Sequence, residues 1–233
     1  MDPSHDATKV IGTPSKHPNF YFTDVVFLVE GVLFKVHRRN FENDSEVFQT
    51  MFSLPIAEGE IADGSSDEHP LVLRGIKQDD FVQLLRVMFP HYDSEDPLTL
   101  NQWISVLNLS TMWRFDRLRA IAIRKLSAML DEPIQRIVLA QTYHVTEWLV
   151  PALNALARRA EPLQPADVEQ IGVDYALKIA AVRESFGETT QCRCQCYSCY
   201  NGHRNDYGRP AASRGATDFS AKIRAVFGAE VLP

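Results

Sequence analysis

The sequence has no cysteine before position 192, no long apolar run and no block of basic residues. Each absence removes a class of protein. Its four cysteines all fall between Cys192 and Cys199, so none can staple the first 191 residues, which suits a reducing compartment. No stretch approaches the ~20 apolar residues that cross a bilayer, and the opening "MDPSHDATKVIGTPSKHPNF" lacks the apolar centre of a signal peptide. A soluble, intracellular chain of cytoplasm or nucleus, with no membrane partner, is expected. A net charge of −6 without clustered Lys and Arg argues against nucleic acid as the main partner. A phosphate loop, a pair of carboxylates set for acid–base work and a nucleophile elbow are also missing, so the expectation is a protein that is not an enzyme.

What is present is apolar pattern. At 233 residues and 45% apolar content, the chain can bury one or two cores. Val25 to Val29 are consecutively apolar and mostly β-branched or aromatic, which predicts a strand covered on both faces. Glu30-Gly31 supplies a two-residue reversal, and Val32 to Val36 return as a partner strand. The basic residues that follow leave the sheet, and Phe41, Phe48, Met51 and Phe52 give an apolar stripe over two short helices. "EGEIADGSSDEH" has no apolar period and reads as a mobile, solvated acidic loop. "LVL" at 71–73 is a short strand, after which Phe81, Leu84, Leu85 and Met88 mark a helix that Pro90 stops.

From Pro97 onward the pattern is helical. Thr99 with Gln102 makes a capping box, Asp116 and Thr146 are expected N-caps, Pro133 sits in a first turn and Gly172 closes a short helix. A last long helix is expected from about Asp174 to Phe186. Beyond it periodicity is lost, although "FSAKIRAVFG" reads as one short helix. Strands followed by helices, with no βαβ alternation, indicate an α+β fold with a helical extension.

Several blocks resemble one family in the right order: Asp24, the hairpin "VVFLVEGVLFKV", "HR" at 37–38, "DSEVFQTMF", "LVLRGIKQDDFVQLLRVMF" and "LNLSTMWRFDRLRAIAIRKL". Together they are similar to BTB (POZ) domain proteins of the fungal type, in which a small sheet is capped by helical hairpins. Residues 139–186 resemble the helical extension of a fungal subgroup. The organisation this implies is a disordered tail at 1–18, a BTB/POZ domain at 19–130, a helical extension at 131–187 and a Cys-containing, largely disordered tail at 188–233.

The resemblance carries functional expectations too. It implies a non-enzymatic protein–protein interaction module that adapts substrates to a cullin-RING ubiquitin ligase. Ile56-Ala57-Glu58 has the form and place of the family's cullin contact, with Ile56 as apolar anchor and Glu58 as rim charge. The alternative is a homo-oligomerising scaffold or transcriptional co-regulator that binds no cullin. The family also places Asp24 and Arg38 together near a dimer groove, where opposite charges would satisfy one another. Phe20, Tyr21 and Phe22 at the start of the domain are expected in the same dimer region, and His37 as a hydrogen-bonded boundary residue. No cofactor is expected. The one metal candidate is Cys192, Cys194, Cys196, Cys199 and His203, of which Cys196 and Cys199 form a chelating pair suited to zinc; the other reading is a tail of exposed thiols.

Overall fold

Val25, Val26, Phe27 and Val29 are buried because their strand is the middle one of three. The computed structural model describes residues 15–18, 20–55, 59–90, 96–189 and 213–231. Strand β1 (Asp24–Val29) pairs antiparallel with β2 (Val32–His37), Asp24 facing His37 and Val29 facing Val32. Glu30 and Gly31 both take positive φ, +47° and +85°, which is the twist that a two-residue hairpin requires. Strand β3 (Leu71–Val72) adds in parallel on the other side of β1. β2 is therefore an edge: Val32 and Leu33 are exposed, and only Phe34 and Val36 are half-buried.

Helices α1 (Arg38–Asp44) and α2 (Glu46–Ser53) follow, separated by Ser45. The buried Ser45 hydroxyl accepts from the Phe48 amide, capping α2, and donates to the Trp113 carbonyl at 2.5 Å. The rings of Phe27, Phe41, Phe48, Phe81 and Phe115 are all fully buried. Phe27 meets Phe41 at 4.8 Å and Phe81 at 5.4 Å between centroids, while Phe48 meets Trp113 at 5.4 Å. These tilted and edge-on contacts are the arrangement that aromatic quadrupoles prefer. Sheet and helices are joined through this cluster.

The acidic loop differs from its expected form. Its Asp63, Asp67 and Glu68 are exposed, but Gly64 is buried: its carbonyl accepts from the Val26 amide at 2.9 Å and its amide donates to the His69 carbonyl at 2.7 Å. The loop thus docks on β1, because one glycine lets the backbone approach where a side chain cannot.

Helix α3 (Gln78–Met88) begins at a distant cap, the Glu30 carboxylate of the hairpin turn accepting from the Gln78 amide at 2.8 Å. Helix α4 (Leu100–Met112) carries the expected Thr99–Gln102 capping box. In α5 (Asp116–Met129) Asp116 is the first helical residue rather than the cap, a position taken by Phe115, so its charge acts on the first turn instead. Helix α6 (Pro133–Tyr143) starts at Pro133 as expected, with Glu132 as cap. Thr146 opens a short 3₁₀ turn, Thr146–Trp148, and caps nothing; α7 (Leu149–Arg158) runs on from it. Helix α8 (Pro165–Ile171) ends at Gly172, whose φ is +84°, and α9 (Val173–Thr189) follows.

The extension shares one core with the first part of the chain. Leu130, Ile134, Ile137, Trp148 and Leu149 are buried in a continuous apolar cluster with the sheet helices. The Trp148 indole donates to Ser127 at 2.7 Å, and Arg119 donates to the Tyr143 carbonyl at 2.8 Å. The short helix expected in "FSAKIRAVFG" is α10 (Ser220–Phe227), and it packs on α7 and α9 with Phe219, Ile223, Phe227 and Val231 buried. Ile223 and Phe227 stand one turn apart in the helix, Phe219 is at its cap and Val231 in the 3₁₀ turn that follows Gly228. Among the described residues, no helix is long and apolar enough to cross a membrane.

Candidate interaction surface

The helix-facing side of the edge strand β2 and the end of α3 enclose an open groove of about 470 Å³. Strand alternation turns Phe34 and Val36 to this side, and the helical period sets Val82, Leu85 and Phe89 opposite them. All five are half-buried, so the groove is apolar and open to contact. Its polar rim consists of Asp24, Lys35, His37 and Arg86. Arg86 is held by Gln83 at 2.9 Å and by the Asp96 carbonyl at 2.8 Å, so it borders the groove in a fixed position.

His37 links the groove to the start of the domain. It faces Asp24 across the hairpin, Nδ1 and Oδ1 lying 2.9 Å apart. Its ring lies 5.5 Å from that of Phe22 and 6.4 Å from that of Phe89. Phe20, Tyr21 and Phe22 stand 74%, 56% and 55% exposed, an unusual concentration of bare aromatic surface for one short segment. Lys16 covers one side of Tyr21, 4.4 Å from the ring centroid.

The expected pairing of Asp24 with Arg38 is not what forms. Asp24 meets His37 because the two are directly cross-strand, whereas Arg38 is the first residue of α1 and turns the other way. Its Nε donates to Glu42 at 2.6 Å, one helical turn on, and its Nη2 donates to the Phe52 carbonyl at 3.1 Å with the guanidinium 4.3 Å from the Phe52 ring. Arg38 thus fastens α1 to the end of α2. His37 is the hydrogen-bonded boundary residue that its position suggested.

Residues 15–130 match the BTB/POZ domain family. The chain carries a BTB/POZ domain. No curated protein matches the chain. The three-stranded sheet with its helical hairpins is the BTB fold, followed here by a helical C-terminal extension, and the BTB domain is a protein–protein interaction module.

Ile56 and Glu58 lie outside the described residues, as do Cys192, Cys194, Cys196, Cys199 and His203. Among the described residues, no three His, Cys, Asp or Glu side chains come close enough together to hold a metal ion. Phe34, Val36, Val82, Leu85 and Phe89 escaped the sequence reading. The alternation in β2 and the apolar positions of α3 were visible, but only the place of β2 at the sheet edge shows that its core-side residues border an open groove.

Proposed function

We propose that this BTB protein is a self-associating interaction module whose first partner is a second copy of itself. The observation that carries this reading is the run of exposed aromatics, Phe20 to Phe22, bordering an open apolar groove through the Phe22–His37–Phe89 chain of rings. Aromatic anchors beside an apolar pocket with a polar rim are what interface centres are made of. Resemblance of the helical extension to a fungal subgroup supports placing the protein among the fungal-type members, working inside the cell in cytoplasm or nucleus. Light scattering at micromolar concentration tests the reading. The expected result is a dimer that the joint replacement Phe20→Ser, Tyr21→Ser, Phe22→Ser converts to a folded monomer; a wild type of strictly monomeric mass removes it.

A second reading, that the module is a cullin-RING ligase adaptor, is favoured by the surface around Ile56-Ala57-Glu58. Leu54 and Ile61, on either side of this stretch, are 63% and 60% exposed, so apolar surface is already bare where a cullin anchor is expected. Ile56→Ala should then weaken binding of a purified cullin N-terminal domain by about 2 kcal/mol or more, the loss of a large aliphatic side chain at a hot spot, with an unchanged melting temperature. Glu58→Ala should cost less, and mainly at low salt. Absence of binding by the wild type would leave the self-associating scaffold or co-regulator.

A further inference from the structure

Strand β2 has a neighbour on one side only. The Arg38 amide donates to the Thr23 carbonyl at 3.0 Å, one step beyond the Asp24–His37 pair, and this fixes the alternation of the ladder. Val32, Phe34 and Val36 turn their backbone amides and carbonyls to β1. Leu33, Lys35 and His37 turn theirs outward, where, among the described residues, no strand receives them. A chain that stays single blunts such an edge with proline, a bulge, charge or a covering loop. β2 keeps an unbroken register with β1, contains no proline, and has Lys35 as its one charge between Val32 and Val36. Val32 and Leu33 stand 38% and 45% exposed, and Phe34 and Val36 are half-buried beside the open groove.

The order of residues in β2 says which strand suits it. An antiparallel neighbour must match outward-turned residues with outward-turned ones, so a second β2 related by a two-fold axis has one residue on that axis. With Lys35 there, two ammonium groups face each other. With Leu33 or Val36 there, the overlap runs off the strand into the turn or into α1. With Phe34 there, the whole of Val32–Val36 pairs with itself: Val32 on Val36, Leu33 on Lys35, and Phe34 on Phe34 as a non-hydrogen-bonded pair with Cα atoms about 4.5 Å apart. Val32, Phe34 and Val36 all lie on the helix-facing side, opposite Val29, Phe27 and Val25, so the paired strands make one apolar strip that joins the grooves of the two copies. Aromatic and β-branched cross-strand pairs are the ones that stabilise a sheet.

We propose that β2 is the contact strand of the self-association: two copies join edge to edge about Phe34, Leu33 of each exchanging hydrogen bonds with Lys35 of the other, and the two sheets become one. The inference rests on the self-association reading and gives it a surface, since the bare Phe22 ring, 5.5 Å from that of His37, stands at the end of the same strand.

Hydrogen exchange of the wild type, together with charge substitutions at exposed positions, tests the pairing. At concentrations where light scattering reads a dimer, the Leu33 and Lys35 amides should be protected and should lose that protection on dilution to monomer, whereas Phe34 keeps its own from β1. Leu33→Lys sets a lysine opposite the second copy's Lys35, on both sides of the axis, and should weaken association on the order of tenfold. Adding Lys35→Glu turns both contacts into opposite charges and should restore it. A monomeric wild type overturns this inference together with the self-association reading. A dimer that the joint replacement of Phe20, Tyr21 and Phe22 dissolves, but whose Leu33 and Lys35 amides exchange freely, overturns the edge pairing alone. So does a dissociation constant that Leu33→Lys leaves unchanged or that Lys35→Glu fails to rescue. The exchange measurement uses the unaltered chain, so it decides even where a variant loses its fold.

Discussion

A methyl group added at Gly64 would meet Val25 Cγ2 at 2.7 Å, in a backbone whose φ of +80° already disfavours any side chain. Gly64→Ala should therefore destabilise the protein by about 1–3 kcal/mol, as a lower urea midpoint with little change of slope. Ser45 makes a comparable point with a polar group. Its hydroxyl caps α2 and satisfies the Trp113 carbonyl across the core. Ser45→Ala leaves that acceptor without its donor in a buried place and should cost about 2 kcal/mol by the same measurement. Neither role can be read from the neighbours in sequence. Ser45 looks like a local cap, which it is, but its second partner is Trp113, and Gly64 looks like a loop glycine among acids.

At the scale of elements, the docked α10 responds to charge at both ends. Bonds from Ser220, and after them Asn154 and nearby Arg158, hold the Asp218 carboxyl below its ordinary value of 3.8. Hydrogen bonds that it donates to Asp174 and then Glu230 raise the Lys178 ammonium well above its ordinary 10.5. A depressed carboxylate stabilises the folded form above its ordinary value and loses that effect as pH falls through the folded one; a raised ammonium stabilises it below its ordinary value and loses that effect as pH rises. Docking should thus be firmest between about 3.8 and about 10.5, and loosen on either side. Amide NMR shifts of α10, followed from acid to alkali, check this against those of α4, which should hold where α10 moves. Asp167 adds to the acid limb, its carboxyl lowered chiefly by the hydrogen bond from Arg159.

For the molecule as a whole, one continuous apolar cluster runs from Val25 to Val231. A protease site engineered between Asn201 and Gly202 should yield two fragments that co-elute after cleavage and separate on warming, because Phe219, Ile223, Phe227 and Val231 stay buried without the covalent link. Fragments that part at once on size exclusion would show that the tether alone holds the segment in place. The hairpin, the α1–α2 pair, the capping box of α4 and the Pro133 and Gly172 boundaries were determined by the sequence itself, since glycine, proline, hydroxyls and apolar period act on the few residues around them. The family blocks likewise each cover one element or two consecutive ones. Tertiary structure alone decided that Asp24 takes His37 and releases Arg38 to α2, that β2 is an edge with a groove behind it, and that α10 belongs to the extension. Those outcomes depend on which surfaces meet across tens of residues, and a side chain's partner at that distance is set by the packing of whole helices and sheets, which no local pattern encodes.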